Sequence, residues 1–166
     1  MLNRIRAARI LAAFFLSVSA GGALGAETAV PTYDAIDAET LMKIINAQGQ
    51  AQITPDGTDP QGPILKVQLP NNVAYAVFMD DCDGGTPSRC KSLEFRGQLP
   101  PGSLNFAQIN TFNQNMRYAT AYLGEKGVPK LRMDENLRGG VTADFLAFDV
   151  RIFMKVMGDY IAQAVK

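Results

Sequence analysis

The sequence predicts an α+β domain: an antiparallel β-sheet of five to six strands with helices packed on one face, in the order α-β-β-β-β-α-β-β-α. Three observations carry this. Strand-like segments come in neighbouring pairs joined by short turns, within residues 73–99 and 117–134, rather than alternating with helices. Three segments repeat apolar residues at helical spacing. Finally, an apolar content of 47% with 19% charged residues supplies one core for a chain of 166 residues.

The chain opens with the parts of a secretory signal. Arg4, Arg6 and Arg9 precede or border the apolar run Ile10 to Leu16, and small residues follow through Ala26. Residues 1–26 are therefore expected to be a signal peptide cleaved after Gly25 or Ala26. An uncleaved anchor is the alternative, but the apolar run is too short for an ordinary membrane-spanning helix, so no stable membrane insertion is expected after cleavage. The expected compartment is the periplasm, where two cysteines normally pair. Without the three leader arginines, thirteen basic residues face sixteen acidic ones, a net charge of −3. With no Lys/Arg run, that balance argues against nucleic acid or an anionic membrane surface as partner.

Residues 27–36 read as a flexible lead-in and 37–166 as the domain. Asp37 is an N-cap for the first helix, with Ile36 and Leu41 at hydrophobic-staple positions. This helix should bury Leu41, Ile44 and Ile45 and stop at Gly49 as a left-handed cap. A short strand is expected from Gln50 to Ile53. The segment TPDGTDPQGP after it, with three prolines and two glycines, reads as a loop. Ile64 to Leu69 alternates as a strand, and Pro70-Asn71-Asn72 turns the chain.

The hairpin that follows can be placed in register. If Cys82 faces Cys90, Met79 meets Leu93, Val77 meets Phe95, Tyr75 meets Gly97 and Val73 meets Leu99, so the large apolar residues share one face. The other face pairs Phe78 with Glu94, Ala76 with Arg96 and Ala74 with Gln98, and it carries both cysteines. A bond between Cys82 and Cys90 would close a nine-residue ring, contributing about 2.5 kcal/mol through the unfolded chain's entropy.

Pro100-Pro101-Gly102 breaks the strand, and Ser103 is expected to cap a helix to about Asn115 with Phe106, Ile109, Phe112 and Met116 as its stripe. Asn110 and Asn113 flank that stripe. They read as structural amides tying the helix to a strand end or loop, with a ligand site as the alternative. The second hairpin turns at GEKG, with Ala119, Ala121, Leu123, Leu131 and Met133 inward and Arg117, Tyr118, Tyr122 and Arg132 at edges or on the open face. Thr142 caps the last helix, to about Ala164, and Val141 can staple to Leu146. Its stripe is Phe145, Leu146, Ile152, Phe153, Val156, Met157, Tyr160 and Ile161. Phe148, Val150 and Met154 lie off that stripe, a broad core contact or a candidate homodimer or partner surface.

Chemistry-bearing constellations are sparse. Histidine is absent, which removes the commonest general base and metal ligand. Two cysteines with seven residues between them suit neither zinc nor a Cys-x-x-Cys redox site, and the glycines lack phosphate-loop context. No cofactor, metal or catalytic residue is expected. Asp80, Asp81 and Asp83 crowd the hairpin loop and suggest the alternative of a calcium-dependent binder or small envelope enzyme. What remains is a surface: Ala74, Ala76 and Phe78 beside Glu94 and Arg96 form a small-residue face that a peptide or second subunit could approach closely. An ordinary solvated sheet face is the alternative.

Taken in order, Cys82, Cys90, Ser92-Leu93-Glu94-Phe95, Ile109-Asn110, Asn113, Arg117-Tyr118, Ala121-Tyr122-Leu123, Pro129, Leu131, Asp134, Leu137 and Gly139-Gly140-Val141-Thr142 resemble the YbjN-domain family, described as putative bacterial sensory transduction regulators. The resemblance spans roughly Asp37 to the C-terminus. It implies an α+β fold similar to type III secretion chaperones, which bind partner polypeptides and often dimerise, and it implies no catalytic residues. The family is best known for cytoplasmic regulators, whereas this chain carries an export signal. The expected function is thus a non-enzymatic exported protein-binding or regulatory module of the bacterial envelope.

Overall fold

The computed structural model describes residues 30–49, 52–58, 62–70 and 73–165. The expected signal peptide, its cleavage site, Gln50 and Asn71-Asn72 lie outside the described residues. The elements in chain order are β1 (Thr32–Tyr33), β2 (Ile36–Asp37), α1 (Ala38–Asn46), β3 (Gln52–Thr58), β4 (Pro63–Gln68), β5 (Ala74–Cys82), β6 (Arg89–Gln98), α2 (Phe106–Asn115), β7 (Thr120–Leu123), β8 (Pro129–Asn136), β9 (Val141–Thr142) and α3 (Ala143–Ala164). Apart from the three two-residue strands, this is the α+β order that the hydrophobic patterns predict.

One antiparallel sheet holds β3-β4-β5-β6-β8-β7, and β2 pairs with the free end of β6, making seven strands. A separate ribbon joins β1 to β9. The helices pack against the sheet, α3 touching both α1 and α2. The β5–β6 ladder has the expected register from Tyr75 opposite Gly97 to Cys82 opposite Cys90. It does not extend to Ala74–Gln98 or Val73–Leu99, so it is shorter at its open end than the pattern suggests.

Alternation then sorts the side chains. Tyr75, Val77, Met79, Leu93 and Phe95 are buried, together with Leu65, Val67, Leu131 and Met133 from the flanking strands. Phe153 of α3 stands at the centre, its ring 5.2 Å from Tyr75 and 5.4 Å from Phe95. Gly97 belongs to this face because any side chain there would collide with Met157, so α3 rests on bare backbone at that point.

The local signals for α1 and α3 act as expected. Asp37 accepts the Thr40 N–H at 2.8 Å, and Ile36 and Leu41 are both buried. Thr142 accepts the Phe145 N–H at 3.1 Å, above a fully packed Leu146.

Other local expectations are corrected. Within the expected lead-in of residues 27–36, residues 32–36 are tied down rather than loose: Ile36 buries itself opposite Cys90, and Arg89 donates to the Ala35 carbonyl at 2.7 Å. Residues 54–58 belong to β3 rather than to a loop. Among the described residues β3 is an edge strand, paired on one side only, so Pro55 is tolerated, and a bulge between Pro55 and Gly57 absorbs the irregularity with Gly57 at φ +119°. Gly49 is no left-handed cap; α1 ends earlier, with Ala47 donating to the Lys43 carbonyl. Asn105, not Ser103, caps α2, forming a reciprocal capping box with Gln108. Phe106 stays 76% exposed, and Phe145 is 45% exposed, whereas Val150 is fully buried.

Candidate functional site

With the helices on one side, the other face of the sheet presents the alternate residues of each strand. The register lays them out in rows. Lys66 lies opposite Ala76, Ala76 opposite Arg96, and Arg96 opposite Arg132. A second row runs Ile64, Phe78, Glu94 and Asp134. On the other flank, Gln68 meets Ala74, and Lys130 lies between Gln98 and Tyr122. Because Ala74 and Ala76 are small, the middle of the sheet sinks into a groove of about 590 Å³ bordered by Lys66, Phe78, Arg96, Tyr122 and Lys130, with Asp56 of the β3 bulge at its rim.

One wall is held by a charge network. Glu94 is only 8% exposed. Its carboxylate accepts two hydrogen bonds from Arg96, from Nε at 2.6 Å and Nη2 at 2.5 Å. Such a two-pronged pair is both directional and strong, and it pushes the Arg96 pKa still higher, chiefly through the Glu94 hydrogen bond. The same guanidinium lies 3.8 Å over the Phe78 ring, a cation–π contact. Arg132 reaches Asp134 at 3.2 Å and Glu94 at 3.9 Å. Arg96 is thus fixed from below and from the side, with one edge toward the groove.

The opposite wall is built differently. Lys130 runs along Gly124, where a Cβ would lie 2.9 Å from its Cε, so the glycine makes room for the lysine stem. From the core side, Tyr160 of α3 donates to the Lys130 carbonyl at 3.3 Å.

Of the residues singled out in the sequence, Ala74, Ala76, Phe78 and Arg96 therefore line one groove, and Glu94 lies beneath it as the anchor of Arg96. Sequence reasoning missed Asp56, Lys66, Gln98, Tyr122 and Lys130 as members of the site. Lys66 carried a usable signal, since it is the polar alternate of its strand. Tyr122 carried a partial one, as a residue expected at an edge or on the open face of the second hairpin, and Lys130 carried none, because the placement of β8 beside β6 is a tertiary outcome.

The other candidates fall elsewhere. Cys82 and Cys90 are bridged, S–S 2.05 Å. The expected place on the open face is corrected for Cys90, which is fully buried within the core cluster where β2 pairs beside that end of β6, while Cys82 is half-buried against the same cluster. Asn113 donates to the Ala121 carbonyl at 2.9 Å and accepts the Ala121 N–H at 2.8 Å, so it ties α2 to the outer side of β7. Asn110 is exposed and makes no such link.

Two of the three loop carboxylates have separate duties. Asp83 accepts N–H bonds from Gly85 at 2.9 Å and Arg89 at 3.0 Å, which hold its pKa down, and Asp81 pairs with Arg138. Among the described residues, no group of three Asp, Glu, Cys or His side chains is placed to hold a metal ion. A pair that the sequence did not suggest lies on the core side. Glu135 of β8 neighbours the buried Asp149 of α3, and burial, then the Asp149 charge, pushes the Glu135 pKa up to about 7. Burial raises Asp149 as well, and its Oδ2 has no hydrogen-bond partner among the described residues.

Comparison with curated proteins and with solved structures returned no match. The YbjN family model, described as putative bacterial sensory transduction regulator, matches residues 57–164. The match begins within β3 and is shorter than the span suggested by the ordered motifs, leaving α1 outside. It nevertheless takes in the whole groove apart from Asp56, together with α2 and α3. Covering more than half of the sequence, it shows that this chain belongs to the YbjN family.

Proposed function

We propose that this protein is a non-enzymatic regulatory module of the bacterial envelope that holds a partner polypeptide across the open face of its sheet. The observation that carries the reading is the asymmetry of the sheet: helices pack on one face, and the other keeps a groove with an alanine floor and a fixed Arg96–Phe78 wall. An open groove with a small-residue floor and charged walls lets a segment of chain approach the sheet closely and be oriented by its side chains. Membership of a regulator family supports a role exerted through contacts. The basic and apolar pattern of residues 1–26 and the bridged cysteines support export to the periplasm.

Affinity capture from periplasmic extract tests this, comparing the wild-type chain with Ala76→Trp, which fills the groove floor, and Phe78→Asp, which breaks its wall. A specific partner lost in both variants supports the reading. Retention of the same partner by both would sink it, as would recovery of the chain from cytoplasm with its thiols free.

Phe145 and Phe148, exposed on the first turns of α3, favour a second reading in which two copies pair through that helix. Sedimentation equilibrium of wild type against Phe148→Glu checks it; a dimer converted to monomer is the supporting result.

A further inference from the structure

The groove has a sign. Three cations, Lys66, Arg96 and Lys130, border it against the single carboxylate of Asp56, although the chain as a whole is acidic once its leader is set aside. Arg96 spends two of its nitrogens on Glu94. Lys66 and Lys130 have no ion-pair partner among the described residues, so their charge faces whatever enters.

The spacing says more. Lys66 stands on β4 and Lys130 on β8, separated in the sheet by β5 and β6. Three strand spacings amount to roughly 14 Å, and Ala74 and Ala76 lie between. An extended chain rises about 3.3 Å per residue. A segment crossing the strands would therefore meet the two ammonium groups with residues about four to five positions apart, and its centre would rest on the alanines.

We propose that the occupant of this groove is an acidic segment of a protein partner, lying across the strands in extended form, with carboxylates on Lys66 and Lys130 and small apolar residues between them. This rests on the open face being the binding surface and adds the chemistry of what it binds.

Fluorescence anisotropy tests it with three labelled peptides: Glu-Glu-Ala-Val-Ala-Glu-Glu, its glutamine analogue and its lysine analogue. The acidic peptide should bind at least about tenfold more tightly than the glutamine analogue, weaken as salt rises, and lose about tenfold again on Lys66→Glu with Lys130→Glu. The milder Lys66→Gln with Lys130→Gln should show a smaller loss in the same direction, and thermal unfolding of both variants should match wild type. Equal binding of the acidic and neutral peptides, abolished by Ala76→Trp, would overturn the acidic preference while leaving the open face as the binding surface. Failure of all three peptides would overturn both. Binding to phosphatidylglycerol vesicles through the same lysines, with no peptide bound, would overturn the proposal in favour of a lipid surface.

Discussion

The two faces of the sheet are made from the same strands, yet they are opposite kinds of material. On the helix side, Tyr75, Phe95 and Phe153 form a ring cluster in a dry core. On the other side, one residue along each strand, Lys66, Ala76, Arg96 and Arg132 make a charged and shallow surface. Strand alternation thus puts the packed core on one face and, on the proposed function, the binding surface on the other. A change on the first should then register in folding, and a change on the second in binding.

The largest contrast between the faces is expected when a ring is removed from each. Phe153→Ala should cost about 3–5 kcal/mol by leaving a cavity under Tyr75 and Phe95. Phe78→Ala, which loses a half-buried ring and its contact with Arg96, should cost about 1 kcal/mol. Denaturant unfolding measures both, and similar costs would dissolve the distinction between the faces.

Next in size is the bridge. Replacing Cys82 and Cys90 by serine should lower stability by about 2.5 kcal/mol. The groove should survive, since the apolar alternation of β5 and β6 holds the register without the bond. Loss of peptide binding in that variant at a temperature where it is folded would contradict this.

Asn113→Ala comes third. It removes both bonds to the Ala121 backbone and should cost about 1–2 kcal/mol, with hydrogen exchange of β7 accelerating before that of β5. Tyr75→Phe runs the other way. Its hydroxyl is buried without a partner among the described residues, and burial raises its pKa, so its removal should be neutral or stabilising by up to about 1 kcal/mol.

The smallest effect is pH-dependent. The Glu135 pKa rises in the fold from its ordinary value of 4.5 to about 7. A folded-state pKa above the unfolded one means that the protonated form favours the fold. The contribution is complete below pH 4.5 and is lost as pH rises through 7. Glu135→Gln should flatten that slope and stabilise the protein above neutrality. The gain should be at most about 1 kcal/mol, because the group is partly solvated. An unchanged melting profile from acid to neutral pH would show that the two carboxyls do not interact.

What could be read from the chain divides along the same physical line. The β5–β6 register was legible because large apolar residues, alanines and cysteines alternate with a period of two, and one slip reverses every side chain. The caps at Asp37 and Thr142 were legible because they are local. β1, β2 and β9 were not, since two residues carry no periodicity, and β3 was hidden because Pro55 and Gly57 look like loop residues unless the strand is known to be an edge. The candidate site was half legible for the same reason. Ala74, Ala76, Phe78, Glu94 and Arg96 belong to one hairpin, whereas Tyr122 and Lys130 arrive from a second hairpin whose position beside β6 depends on the packing of α3.

The amide of Asn113 also has a consequence for growth of the sheet. By occupying the outward N–H and C=O of Ala121, it obstructs strand pairing at the middle of β7, one end strand of the sheet, and β3 is the other end strand. Edge-to-edge addition is therefore expected through β3 rather than β7, a geometry that favours a closed pair of copies over an open fibre.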